Sequence, residues 1–174
     1  EKTVQSVNGV LMSYREWVKD NHAPGTFDFY SQGINTFDTY LTREEKENLL
    51  VSEFGPDTVE DWMAAYSSKS DSYRHNLIRS VQAAFNWAVK RKLLKENPLT
   101  GLEKPAQTPR EAYISDDEWS KIAAAVDGPF LDFLEILRET GCRPIEARVV
   151  TAENFDRENR RWYFAVAPKK VRGK

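Results

Sequence analysis

Glu139-Thr140-Gly141-Cys142-Arg143-Pro144-Ile145-Glu146-Ala147-Arg148 is the stretch on which the reading of the fold turns. An apolar helical run, Phe130 to Leu137, leads into it and stops at Gly141, the residue best able to take the left-handed conformation of a helix end. Pro144 suits the first turn of a new helix, where its missing N–H costs nothing. Arg143 therefore stands at a helix-to-helix corner with Glu146 about one helical turn on, near enough to hold its guanidinium. An arginine pinned in this way, with its fork outward, is a good ligand for a phosphate. The same spacing also describes an ordinary surface salt bridge, which is common and weak.

Working outward, 174 residues make one medium domain or two small ones. Hydrophobic residues at 40% and charged residues at 30% give a globular rather than a disordered balance. The net charge of −2 hides an uneven distribution. Acids outnumber bases 13 to 6 over Glu1 to Ser72. Arg74, Arg79, Lys90, Arg91, Lys92, Lys95 and Lys104 then face only Glu96 and Glu103, and the tail from Arg157 is basic again. Two basic segments on an acidic chain point to a localised charged face. Cys142 is the only cysteine, which excludes a disulfide framework and a cysteine-based zinc site. His22 and His75 lack metal-ligand spacing, so no metal and no cofactor are expected. With no transmembrane run and no signal-peptide core, the expectation is a cytoplasmic protein with no membrane partner.

Along the chain, Val4 to Lys19 has helical spacing and ends at Asn21-His22-Ala23-Pro24-Gly25. A second helix is expected to be capped by Thr26, with Phe27, Tyr30, Ile34, Phe37 and Leu41 on its apolar face. Leu49 to Phe54 is a connection, and a short third helix runs from Gly55-Pro56 through Trp62, Met63 and Tyr66. Ser70 or Asp71 caps a fourth, spanning Ser72 to about Leu94 without Gly or Pro. Tyr73, Leu77, Val81, Ala84, Phe85, Ala88 and Val89 mark its buried face; Arg74, Asn76, Arg79, Lys90 and Arg91 mostly fall elsewhere. Asn97 to Pro105 breaks all periodicity. The expected organisation is therefore a helical domain over residues 1–97, a linker over 98–110, and a second domain over 111–174. That domain opens with a capping box, Ser115 to Glu118, ahead of a helix from Trp119 to Val126 closed at Asp127-Gly128-Pro129. Beyond the corner a new helix runs through Val149, and Trp162 to Val166 is β-branched and aromatic enough for a strand.

In this order the parts resemble the tyrosine recombinases, the phage-type integrases. The resemblance rests on Thr140-Gly141-Cys142-Arg143-Pro144-Ile145-Glu146-Ala147, on Val81 to Pro98 as the last helix of a core-binding domain, and on the strand followed by lysines. It implies a mainly α chain: a four-helix core-binding (SAM-like) domain, a linker, and the truncated first part of an α+β catalytic domain. The activity implied is site-specific DNA breakage and rejoining in a mobile element, through a phosphotyrosyl intermediate and without a cofactor. Arg143 matches the arginine that binds the scissile phosphate, Glu146 the acid that supports it, and Lys170 (with Lys169 and Lys174 as neighbours) the lysine that protonates the leaving oxygen. The partner implied is double-stranded DNA, gripped by two domains and contacted by Arg74, Asn76, Arg79, Lys90, Arg91 and Lys169. The family's second arginine, histidines and nucleophilic tyrosine have no match here; Tyr113 and Tyr163 lie too early. The chain is therefore expected to be a fragment that binds DNA without cutting it, monomeric alone, while the longer protein self-assembles on DNA. A DNA-binding module without chemistry and a helical protein-interaction domain remain open. A helix pair joined at Gly141 and a sheet starting at Phe155 fit the family; a continuous helix through residue 143 does not.

Overall fold

A computed structural model describes residues 6–107 and 113–163. The chain is mainly helical and divides into two compact units, Glu1–Arg110 and Glu111–Lys174. Among the described residues no helix is long and apolar enough to cross a membrane.

The first unit is built on α1 (Val7–Asn21), α2 (Pro24–Arg43), α3 (Pro56–Ala64) and α4 (Asp71–Lys90). Ser6 caps α1 by accepting from the Gly9 N–H at 3.1 Å, and Val7, Val10, Leu11, Tyr14 and Val18 form its buried stripe. α2 begins earlier than its expected cap. Ala23 takes the N-cap position, Pro24 supplies the fixed φ of the first turn, and Thr26 lies inside the helix. Gly33 is needed where α2 meets α4, because a Cβ there would lie 2.4 Å from the Ser80 Cβ. Phe37, Phe54, Trp62 and Phe85 meet at the centre, with ring centroids 4.7–5.8 Å apart.

Ser70 caps α4. The buried face of that helix is Leu77, Ile78, Ser80, Val81, Ala84, Phe85 and Ala88, while Tyr73 and Val89 are only half-buried. The helix ends at Lys90 rather than near Leu94. Lys92 takes a left-handed φ of 59°, the Leu93 N–H reaches back to the Ala88 carbonyl (2.9 Å) and the Lys92 N–H to Val89 (2.9 Å). This is the Schellman closure with lysine where glycine is usual. Glu45 (φ 56°) ends α2 in the same way, with Lys46 N–H on the Leu41 carbonyl at 2.7 Å.

Residues 98–107, expected as linker, pack against the first unit instead. Leu99 and Leu102 join the core. Asn97 donates to Asn86 (2.7 Å), Lys104 to Gln82 (2.9 Å), and the His75 Nδ1–H to the Pro105 carbonyl (2.9 Å), which can only accept. The segment therefore runs back along α4 as an arm.

The second unit holds α5 (Asp116–Ala124), α6 (Gly128–Thr140), the single turn α7 (Pro144–Ala147), and strands β1 (Phe155–Asp156) and β2 (Arg161–Trp162). The Ser115–Glu118 capping box forms. Gly128-Pro129, expected to close α5, also makes the first turn of α6 behind the N-cap Asp127. β1 and β2 pair antiparallel, Phe155 with Trp162, and the Tyr163 N–H continues the pairing to the Asn154 carbonyl (2.8 Å). The rest of the expected strand, residues 164–166, lies outside the described residues. No side chain among residues 113–163 is buried; Tyr113, Phe130, Ile145 and Tyr163 are largely exposed.

Candidate functional site

The corner after α6 is built from backbone constraints. The Gly141 N–H closes the helix on the Leu137 carbonyl (2.9 Å), and its φ of 64° turns the chain out of the helical path. Cys142 N–H donates to the Thr140 hydroxyl at 3.3 Å. Pro144 disfavours helical geometry in the residue before it, and Arg143 accordingly sits extended at φ −71°, ψ 147°. Glu146, at the third position of α7, then uses both carboxylate oxygens on one residue. Oε2 accepts the Arg143 backbone N–H at 2.7 Å and Oε1 accepts Nη1 of the same arginine at 3.0 Å.

The double contact matters physically. The backbone bond fixes the carboxylate, so the ion pair does not have to immobilise two long side chains at once. The Arg143 side chain remains 80% exposed and that of Glu146 33%, so the held fork faces solvent. The backbone N–H, then the guanidinium, hold the Glu146 carboxyl below the ordinary glutamate range. Lys170 and Lys169 lie outside the described residues.

The α4 candidates separate into two groups. Arg79 and Lys90 are eleven residues, about three turns, apart and share the exposed face opposite the core. Arg79 carries its guanidinium 5.5 Å from the Phe29 ring centre, and Arg91, just past the helix end, lies 5.6 Å from that of Trp17. Arg74 is about 140° around the helix from Arg79. It is half-buried, paired with Asp71, and lines a concavity of about 320 Å³ with Val59, Met63, Ile78 and Leu102. The Asn76 amide oxygen accepts from Gln107 on the arm (3.4 Å). Arg79 and Lys90 thus share one exposed face, Arg91 resembles Arg79 in its aromatic contact, and Arg74 is set apart by its pairing and partial burial.

Tyr113 and Tyr163 are exposed, and the Tyr163 hydroxyl donates to Asp156 at 3.3 Å. His22 lies edge-on to Trp17 and His75 holds the arm, so both histidines have structural contacts. Among the described residues no group of His, Cys, Asp and Glu could hold a metal ion. Lys104, brought to α4 by the arm, was missed as a neighbour of the basic face; its signal is the Leu99-x-x-Leu102 spacing that anchors the arm. A scan of protein-family models and a comparison with curated proteins find no match to this chain.

Proposed function

We propose that this chain is part of a DNA strand transferase of the tyrosine-recombinase kind, and that residues 1–174 contribute duplex binding and one phosphate ligand, Arg143. The observation that carries the proposal is the Glu146 carboxylate shared between the backbone and the guanidinium of Arg143. Phosphoryl transfer depends on positioning and on electrostatic stabilisation of charge on the phosphoryl oxygens. An exposed arginine whose direction is set before the ligand arrives meets both needs. The corner at Gly141 and the strand pair beginning at Phe155 fit the same reading, and so does the basic outer face of α4.

In this reading the first unit is the core-binding domain and the second the opening part of the catalytic domain. Lys170 is the proton donor to the leaving oxygen. No tyrosine of this stretch takes the nucleophile's role, so these residues bind DNA without forming a covalent adduct.

The test is a titration of the 174-residue chain with a mixed-sequence duplex, followed by incubation with a nicked duplex. The reading expects affinity to fall on the order of a hundredfold between 50 and 200 mM salt, the response to three or four neutralised phosphates. It expects no covalent complex. Salt-independent binding, or an adduct through Tyr113 or Tyr163, would overturn it.

A further inference from the structure

Among the described arginines of the first unit, Arg43 lies near the Tyr40 ring (5.7 Å) but is ion-paired, and Arg15 lies near the Phe27 ring (5.9 Å) but is half-buried with Nη1 turned to Met12. Arg43 and Arg74 are ion-paired, to Glu44 and Asp71. Arg79 and Arg91 form no salt bridge among the described residues; each lies instead over an aromatic ring from another helix. Phe29, from α2, lies under Arg79, and Trp17, from α1, under Arg91. Glu16, beside Trp17 in sequence, is turned to Lys19 at 3.9 Å. The rings are themselves held. Phe29 packs edge-on against Tyr30 (5.2 Å), and Trp17 packs against Tyr14 and Trp87, each with centroids 6.0 Å away.

A guanidinium resting on a ring face is held through its plane, which leaves the N–H edge available for an acceptor. An acid partner has the opposite effect, because it occupies that edge and cancels the charge. We propose that Phe29 and Trp17 are positioning residues that hold Arg79 and Arg91 with their N–H edges outward for the phosphodiester backbone of duplex DNA. Lys90 lies between them along the chain and adds a third cation to the face. Arg74, already neutralised by Asp71, takes no part. This inference rests on the DNA-binding reading above and adds the surface of the first unit that meets the phosphates.

The experiment measures affinity for the mixed-sequence duplex across a salt series in the 174-residue chain, with circular dichroism and thermal unfolding checked for each variant. Arg79→Ala and Arg91→Ala should each weaken binding and reduce the salt slope by about one. Arg79→Lys and Arg91→Lys keep the charge and lose the planar fork. Phe29→Leu keeps Arg79 and loses its support. These three should weaken binding about two- to fivefold with the slope unchanged, the size of an exposed cation–π contact. Phe29→Tyr, which restores a ring, should bind as the wild type does. Arg74→Ala should leave both affinity and slope unchanged.

If the lysine variants and Phe29→Leu bind like the wild type while the alanine variants do not, charge alone suffices and the positioning role is overturned. If the alanine variants bind normally while the chain still binds DNA with a steep salt slope, the face is wrong and the proposed function stands. Absence of salt-dependent binding in the wild type removes both. Phe29→Leu alone could fail through loss of structure, but the lysine variants leave the aromatic packing intact and keep the test decisive.

Discussion

At the scale of single residues, the Glu146 carboxylate performs two jobs that sequence spacing does not distinguish. Position i+3 from an arginine is compatible with a loose surface pair, which contributes little. The second bond, from the Arg143 N–H at 2.7 Å, ties the same carboxylate to the backbone and makes the direction of the guanidinium part of the local fold. Because these bonds lower the carboxyl pKa, Glu146 supports the corner above the ordinary glutamate pKa. The support is lost as pH falls through the depressed folded value. The Glu146 carboxyl resonance should therefore titrate with a midpoint below about 4.3, the ordinary glutamate value. A midpoint at or above that value would mean that the double contact does not persist in solution. Arg143, Glu146 and Gly141 were legible in the sequence because Gly-x-Arg-Pro-x-Glu is a set of local constraints. That Arg74 rather than Arg79 is half-buried was not, since it depends on which flank of α4 faces Val59 and Met63 of α3.

At the scale of elements, the arm over residues 98–107 changes what a break in periodicity implies. Asn97-Pro98-Leu99-Thr100-Gly101-Leu102 has no helical or strand period, and composition alone makes it a linker. Its two leucines are nevertheless buried, held by side-chain bonds from Asn97, Lys104 and His75. Leu99→Ala should destabilise the first unit by about 2–5 kcal/mol, the range for truncating a buried leucine, measured by chemical denaturation. A change below about 0.5 kcal/mol, ordinary for an exposed site, would show that the arm is not docked. The end of α4 was misjudged for a related reason. Lysine at 92 gives no signal for a left-handed residue, and the four apolar or long side chains after Lys90 continue a helical pattern on paper. The hydrogen bonds from Lys92 and Leu93 back into the last turn decide the matter, and only tertiary packing of Leu93 and Leu94 on the core reveals why. The buried stripe of α4 and the Ser115 capping box, by contrast, depend on spacings of three and four residues, and the sequence carried them.

At the scale of the whole molecule, the two units differ in what holds them. The first buries an aromatic and aliphatic core drawn from all four helices and the arm, whereas residues 113–163 contribute no buried side chain. Backbone hydrogen bonds covered by few apolar contacts open at low free-energy cost. Amides of α6 should therefore exchange with solvent well before those of α4 in a hydrogen-exchange time course; equal protection would show that the second unit has a core of its own strength. The two-unit division also assigns separate parts of the proposed activity, with the ring-supported arginines in the first and Arg143 in the second. The central claim is that Arg143, held by Glu146, is a phosphate ligand. Its most direct test is the salt dependence of duplex binding by the wild-type chain and by Arg143→Ala. One lost phosphate contact lowers the slope of log affinity against log salt by about 0.9. The account predicts that reduction with the unfolding temperature unchanged. An identical slope and affinity in both proteins would contradict it.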